Sequence, residues 1–300
     1  MRERLWLTGL LVFMGLSWGM TQPFIKIAVS GGYRNFGLIF WQEVIASAVL
    51  AVILAVRRRP LPLGRRQIAF YAVIAALGMV LPNLASYEAV RHLPAGVLSV
   101  VIAAMPMFAF PIALIIGLER FSALRLAGLL CGLVGVYLLT GPEGGMRDVP
   151  VLWVLVALIT PFCYGMEANF VARFGTGGAG PMQLLCGASL IGVAVTGPIA
   201  WLSGNWIDPR PPWGAPDYAL IASAMINSLI YAMYIWMVRR AGPVFAGQVS
   251  YLVTGFGVIW AMIILHERYS AYFWLALALM LAGLFLVQPR QQTALEKTAE

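Results

Sequence analysis

Residues 94–139 read PAGVLSVVIAAMPMFAFPIALIIGLERFSALRLAGLLCGLVGVYLL, and this stretch decides the fold. An uncharged apolar run is followed by a charged corner, Glu119-Arg120, and then by a second apolar run. At a rise of about 1.5 Å per residue, each run is long enough to cross the hydrocarbon core of a bilayer. The stretch therefore predicts a helical hairpin that spans a membrane.

A second copy of this hairpin lies near the end of the chain. Residues 242–287 read GPVFAGQVSYLVTGFGVIWAMIILHERYSAYFWLALALMLAGLFLV, and their HERYS corner aligns with the LERFS corner of the first copy at an offset of 148 residues. Upstream, Trp18-Gly19-Met20 aligns with Tyr164-Gly165-Met166 at nearly the same shift. The sequence thus indicates a tandem duplication, which we divide into residues 1–146 and 147–300.

The composition is that of an integral membrane protein. Hydrophobic residues make up 61% of the chain and charged residues only 11%, whereas soluble domains carry about 25% charged residues. The net charge of +8 comes from basic residues scattered between apolar runs, without a basic stripe and interleaved aromatics, so nucleic-acid binding is not predicted. The three cysteines lie in apolar segments without metal-ligand spacing, and we expect neither a metal nor another cofactor.

Ten apolar segments are separated by turns rich in glycine and proline. The predicted fold class is an all-α polytopic membrane protein with ten transmembrane helices, at roughly 5–29, 36–56, 67–90, 94–117, 122–140, 150–172, 181–203, 216–238, 243–265 and 270–288. Because each half holds an odd number of spans, the two five-helix repeats are expected to insert in opposite orientations. Such inverted repeats are typical of secondary transporters.

Basic residues in the loops predict the orientation, since cytoplasmic loops carry an excess of Lys and Arg. With a cytoplasmic N-terminus, the outer loops receive only five basic residues: Arg34, Arg91, Arg147, Arg210 and Arg268. The inner side receives fourteen: Arg2, Arg4, Arg57, Arg58, Arg59, Arg65, Arg66, Arg120, Arg125, Arg173, Arg239, Arg240, Arg290 and Lys297. We therefore predict that both termini are cytoplasmic.

These features together resemble the EamA-type drug/metabolite transporter superfamily. The resemblance rests on the two five-span halves, the early Trp-Gly or Tyr-Gly, and the Glu-Arg-hydrophobic-Ser corner before a Gly-rich last span. It implies an inner-membrane carrier that moves small metabolites, amino acids among them, by alternating access. It also implies a cavity lined by the first four spans of each half. Many members carry an Arg in the second span, where this chain reads Trp41-Gln42-Glu43-Val44.

Polar side chains inside the spans are the candidate binding residues, because an unmatched polar group at membrane depth is costly. They recur at helical spacing, and we predict a substrate-binding role for Trp18, Gln22, Asn83, Tyr87, Tyr164, Glu167, Asn227, Tyr231, Tyr234, Gln248 and Tyr251. The alternative is that they form interhelical hydrogen bonds and interface aromatics. The sequence contains no HExxH, G-x-S-x-G or Walker A motif, so an enzyme is not predicted.

Charged residues divide into two groups. Glu43 and Glu167 lie deep in their spans, and the repeat equivalent of Glu167 is Thr21, so inherited packing did not require a carboxylate there. We predict that Glu167 binds the ammonium group of a substrate or carries an exchanging proton; a fixed pair with Arg173 is the alternative. Glu119 and Glu267 stand at helix junctions, where each is predicted to pair with a nearby Arg or to accept hydrogen bonds from free amides.

Prolines and glycines predict how the spans bend and pack. Prolines within spans are expected to kink them, and these are Pro23, Pro82, Pro106, Pro111, Pro161 and Pro198. Gly128, Gly132 and Gly135 in span five allow close helix contact, either within one chain or between two.

The predicted function is export of a small organic metabolite across the inner membrane by a multi-pass carrier. The aromatic and amide side chains of the spans favour an amino acid or an aromatic or cationic compound. The expected partners are this substrate and the lipid bilayer, while proton coupling and the choice between monomer and homodimer stay open. The alternatives are a membrane scaffold, a lipid scramblase or a channel, although no ring of charge or carbonyl-rich filter is visible in the sequence.

Overall fold

The structure, a computed structural model, describes residues 2–140 and 151–287. Within these residues the fold is all helical, as predicted. Eight helical segments are long and apolar enough to cross a membrane: Leu5–Ser30, Asn35–Val56, Arg65–His92, Ala95–Ile115, Val151–Phe174, Pro181–Leu202, Ala215–Val238 and Phe245–Leu265. Two shorter apolar helices, Ala123–Leu139 and Ala271–Val287, lie at predicted spans five and ten. The repeat boundary at 146/147 and the C-terminal tail fall outside the described residues.

The helices follow one another with short connections. They are α1 (Arg2–Gly19), α2 (Thr21–Ser30), α3 (Asn35–Val56), α4 (Arg65–Ile74), α5 (Leu81–His92), α6 (Ala95–Ile102), α7 (Met105–Ile115), α8 (Ala123–Thr140), α9 (Val151–Phe174), α10 (Pro181–Leu202), α11 (Ala215–Ala241), α12 (Pro243–Gly247), α13 (Val249–Leu265) and α14 (Ala271–Val287). A π-helical segment, Ala75–Val80, joins α4 to α5.

Three of the predicted kinks coincide with breaks in the spans. Pro23 follows the junction of α1 and α2, Pro82 follows the π-helical segment, and Pro106 follows the junction of α6 and α7. Proline lacks a backbone N–H and its ring clashes with the carbonyl four residues earlier, so a helix is interrupted on its N-terminal side. Pro111, Pro161 and Pro198, by contrast, lie inside the helices α7, α9 and α10, without a break in the helix.

The largest helix contacts are matched between the two halves, whereas the contacts of α2 with α5 and with α6 have no counterpart of similar extent in the second half. Helix α3 packs on α10, and α8 packs on α14, so these pairs join equivalent helices of the two halves. The remaining major contacts come in matched sets: α1 with α13 corresponds to α9 with α7, and α2 with α11 corresponds to α9 with α5. The duplication seen in the sequence therefore extends to the tertiary contacts.

The Trp-Gly and Tyr-Gly motifs mark two equivalent helix crossings. A Cβ atom added to Gly19 would lie 2.8 Å from the backbone nitrogen of Gly257, and one added to Gly165 would lie 3.0 Å from the backbone nitrogen of Ala109. Gly257 and Ala109 occupy matching repeat positions at the 148-residue offset. Each glycine is thus needed because the backbone of the other half approaches too closely for a side chain.

Small residues also join the last helices of the two halves. A Cβ atom added to Gly128 of α8 would lie 2.8 Å from the carbonyl oxygen of Gly283 in α14. The close contact allowed by these glycines is therefore made within one chain. The opposite faces of both helices carry large exposed apolar side chains, such as Leu133 and Phe285, as expected of surfaces that meet lipid.

Both junction glutamates behave as the sequence predicted. Glu119 forms an ion pair with Arg125, with 2.9 Å between Oε2 and the guanidinium nitrogen. The Glu267 carboxylate accepts hydrogen bonds from the backbone amides of Ala95, at 2.8 Å, and Gly96, at 3.2 Å. These amides begin α6, where a negative charge is favourable for the helix dipole. The two carboxylates therefore stabilise helix ends.

Candidate functional site

Four of the predicted binding residues meet in one cluster between α1 and α11. The Trp18 indole N–H donates a hydrogen bond of 2.6 Å to Asn227 Oδ1. The Trp18 ring lies 6.1 Å from the rings of both Tyr231 and Tyr234, and those two rings are also 6.1 Å apart. We call Trp18, Asn227, Tyr231 and Tyr234 the aromatic cluster.

Local structure explains how the aromatic cluster forms. Trp18 ends α1 immediately before the glycine that crosses the other half, so its ring is held where two helices meet. The three α11 residues follow at i, i+4 and i+7, which places them on one face of the helix. All three rings keep part of their surface uncovered. Such faces attract cations and provide apolar area for an organic ligand.

Glu167 approaches this cluster from α9. It lies against Gly78 in the π-helical segment, where an added Cβ atom would be 2.7 Å from the carboxylate oxygens. The carboxylate also interacts electrostatically with the hydroxyls of Tyr164 and Tyr231. No ion pair within the described ranges joins Glu167 to Arg173. The structure thus brings Glu167, Tyr164 and the aromatic cluster into one electrostatically connected region.

Tyr87 belongs to the packed core. Its side chain is 1% exposed, and its hydroxyl donates a hydrogen bond to Gln42 Oε1. The Gln42 amide nitrogen in turn donates to Ser223 Oγ at 3.3 Å, so α5, α3 and α11 are joined by one hydrogen-bonded chain. This is the interhelical role that the sequence left as the alternative. Asn83 lies one turn earlier on α5 and is half-buried.

The remaining predicted residues lie on α2 and at the α12–α13 junction. Gln22 and Tyr251 are half-buried, and Gln22 Oε1 and the Tyr251 hydroxyl have no hydrogen-bond partner among the described residues. Unpaired buried polar atoms are rare in folded proteins, so both atoms are available to a ligand or water. Gln248 is exposed at the junction between α12 and α13.

Comparison with known proteins identifies the family. The model of the EamA-like transporter family matches the chain twice, at residues 5–141 and 151–288. The chain belongs to the EamA-like transporter family. It is therefore a multi-pass membrane transporter of the drug/metabolite transporter superfamily, and its family implies a small-molecule substrate and contact with the bilayer.

Two relatives of this EamA transporter and one solved structure extend the comparison. An uncharacterized inner membrane transporter of Escherichia coli (strain K12), YedA, is 23% identical over 95% of this chain and 92% of its own. A probable terminal-alkyne amino-acid exporter of Streptantibioticus cattleyicolor is 28% identical over 150 residues, 49% of each protein. A protein of known crystal structure aligns with a TM-score of 0.65 over 97% of this chain and 98% of its own, at 20% identity, which shows the fold.

In this EamA transporter, Lys26 supports the scaffold. Its ammonium group donates hydrogen bonds to the carbonyl oxygens of Val90, at 2.5 Å, and Leu93, at 3.0 Å. These carbonyls lie at the end of α5, where the helix leaves acceptors unpaired and where its dipole favours a positive charge. Lys26, in the first span, therefore stabilises the end of α5.

Glu43 is a buried carboxylate that our predicted set of binding residues did not include. It is 5% exposed, packs against Gly192 of α10, and its Oε2 has no hydrogen-bond partner among the described residues of this EamA transporter. It interacts electrostatically with the hydroxyls of Tyr87 and Tyr164. The sequence signal was available: Glu43 is the one acidic residue in the apolar helix Asn35–Val56.

Proposed function

We propose that this EamA transporter is a secondary carrier that exports small organic metabolites across the inner membrane by alternating access. In the proposed architecture, ten helices form two inverted five-helix repeats, 1–146 and 147–300, with both termini in the cytoplasm. The observation that carries the proposal is the aromatic cluster, formed where Trp18 of α1 meets Tyr231 and Tyr234 of α11. The Glu167 carboxyl group interacts electrostatically with Tyr231 over a longer range. Aromatic faces beside an anionic group suit a ligand that is both organic and positively charged.

The chemistry of the site favours amino acids or aromatic or cationic compounds. An ammonium group over an aromatic ring gains about 0.5–2 kcal/mol, more when water is excluded. The Glu167 carboxylate makes no ion pair within the described ranges, so it can offer the same ammonium group a partner of opposite charge. A relative whose name describes an amino-acid exporter supports this substrate class, as well as outward transport.

Two observations support the inverted arrangement of the repeats. The largest helix contacts are matched between the halves, and basic residues are concentrated on the predicted inner side. Single cysteines placed beside Arg57 and beside Arg147 should react with a membrane-impermeant reagent from opposite sides of intact cells. Reaction of both from the same side would contradict the inverted topology.

Counterflow in proteoliposomes tests transport itself. Purified protein should exchange a labelled substrate against an internal pool, saturably and selectively, when a panel of amino acids and organic cations is screened. Vesicles without protein provide the control. Folded protein that moves none of the panel, or that instead transfers labelled lipids between leaflets, would favour the scaffold or the scramblase over the carrier.

A further inference from the structure

A pocket of about 410 Å³ opens at one end of the helix bundle. It lies between the end of α3, the start of α10 and the later part of α11, and is lined by Leu54, Arg57, Arg59, Gly180, Pro181, Met182, Gln183, Ile235 and Trp236. Its volume is typical of small-molecule sites, which occupy roughly 300–1,000 Å³.

Positive charge is concentrated at this pocket. Arg57 and Arg59 line it, no Asp or Glu does, and neither arginine forms an ion pair in the part of the chain that the structure describes. The adjoining loop, residues 57–66, contains five arginines and no acidic residue. Because a guanidinium group presents several N–H donors in one plane, it matches the oxygens of a phosphate better than an ammonium group does.

The rest of the lining is mostly apolar. Leu54, Met182 and Ile235 are buried, whereas Trp236 is 37% exposed and its ring meets that of Trp6 edge-on at 5.6 Å. Tryptophan is enriched where a membrane meets water, because its ring is apolar and its N–H is polar. The pocket therefore combines a cationic end with an apolar wall at the level of the membrane surface.

The outer side of the pocket continues into the lipid-facing surface. Val56, next to the pocket-lining Arg57, is 80% exposed, and Trp6, whose ring meets that of Trp236, is 57% exposed. On its inner side, Leu54 and Ile235 pack with Tyr231 in one apolar layer together with the buried Leu50 and Cys186. Tyr231 joins this apolar layer to the aromatic cluster, while the exposed side chains of Val56 and Trp236 open the pocket toward the bilayer.

We propose that this pocket binds the headgroup of an anionic phospholipid. The phosphate contacts Arg57 and Arg59, and an acyl chain lies along the apolar wall formed by Leu54, Ile235 and Trp236. Basic pockets between transmembrane helices on the cytoplasmic side are suited to anionic headgroups, and juxtamembrane arginines raise the local concentration of such lipids. The proposal does not depend on which solute the aromatic cluster transports.

Lipid retention during purification provides the test. Full-length protein is mixed with equal amounts of phosphatidylglycerol and phosphatidylcholine, and the lipids that stay bound are counted by native mass spectrometry. Wild-type protein should retain phosphatidylglycerol in preference to phosphatidylcholine. In the double variant R57Q/R59Q, the ratio of bound phosphatidylglycerol to bound phosphatidylcholine should fall by at least about tenfold. The double variant R65Q/R66Q removes the same charge from exposed positions in the first turn of α4, outside the pocket, and it should keep the preference.

Three outcomes would overturn the proposal. Equal loss in R57Q/R59Q and R65Q/R66Q would mean that the pocket has no special role. Thermal stabilisation by inorganic phosphate as large as that by phosphatidylglycerol would identify a free anion as the ligand. Loss of counterflow in R57Q/R59Q with unchanged lipid retention would assign the pocket to the transported solute. Because all four arginines are exposed, both double variants should melt near the wild-type temperature, and R57K/R59K should restore part of the lipid preference.

Discussion

Residues 18–21 and 164–167 occupy equivalent positions in the two halves and read Trp-Gly-Met-Thr and Tyr-Gly-Met-Glu. Their glycines make the same crossing with the opposite half. Their fourth residues differ: Thr21 donates a hydrogen bond of 2.7 Å to the Trp18 carbonyl, whereas Glu167 is a carboxylate against Gly78. The comparison teaches that the duplication preserved the packing, while the polar chemistry diverged.

The first residues of the two segments differ as well. Trp18 has a hydrogen-bond acceptor in Asn227, and the repeat position that matches Asn227 in the other half is Met79. The first half therefore supplies the Trp18 ring, and the second half supplies the Glu167 carboxyl group together with Tyr231 and Tyr234. A ligand with an apolar body and an ammonium group would be recognised by both halves together, and this asymmetry can be tested piece by piece.

The largest effect on stability is expected from disrupting the glycine crossings that both halves share. Gly19→Leu and Gly165→Leu should each cost about 1–3 kcal/mol or more of stability, because the added side chain meets backbone of the opposite half. Thermal unfolding in detergent measures the loss. Gly9→Leu in α1 is the matched control, since an added Cβ there has nothing within 4 Å. Equal destabilisation by Gly9→Leu would show that the crossings are not the cause.

The next effect concerns the carboxylate that only one half carries. Glu167→Gln should lower counterflow about tenfold, equivalent to about 1.4 kcal/mol, or abolish its pH dependence, because the amide neither attracts an ammonium group nor exchanges a proton. The melting temperature should stay near that of wild type. Thr21→Val alters the equivalent position and should leave transport intact. Unchanged transport by Glu167→Gln across the pH range would make this residue structural.

An effect of similar size is expected from the aromatic cluster. Trp18→Ala, Tyr231→Ala and Tyr234→Ala should each weaken apparent substrate affinity by a few-fold up to about 30-fold, corresponding to about 0.5–2 kcal/mol of cation–π attraction. Trp18→Phe keeps a ring and loses the bond to Asn227, so its effect should be milder. If the alanine variants misfold while transport per folded molecule is normal, the three rings only fill space.

The smallest effect on transport is expected at Tyr87, which sharpens the difference between a core tyrosine and a site tyrosine. Tyr87→Phe removes the hydrogen bond to Gln42 and should cost about 0.5–1.5 kcal/mol of stability. The KM of counterflow should not change, in contrast to Tyr231→Ala. A raised KM in folded Tyr87→Phe protein would instead indicate that Tyr87 takes part in substrate binding.

Much of the fold follows from the sequence alone. Apolar runs of membrane-spanning length predict the helices, because the rise per residue and the bilayer thickness are constant. Repeat alignment reveals the duplication, and prolines locate three of the interruptions within spans. The roles of Glu119 and Glu267 were also predictable, since a carboxylate at a helix junction finds its partners nearby in the chain or at a free helix end.

Which helix faces which was decided by the tertiary structure. Helical spacing places Asn227, Tyr231 and Tyr234 on one face, but nothing in that spacing indicates that Trp18 lies opposite. The physical reason is that lipid-facing and protein-facing surfaces of a membrane helix are both apolar, so the amphipathic pattern that orients helices in soluble proteins is weak. Three further features depend on contacts between distant segments, which only the folded chain brings together. They are the core position of Tyr87, the unpartnered oxygen of Glu43 and the electrostatic interaction of Glu167 with Tyr231.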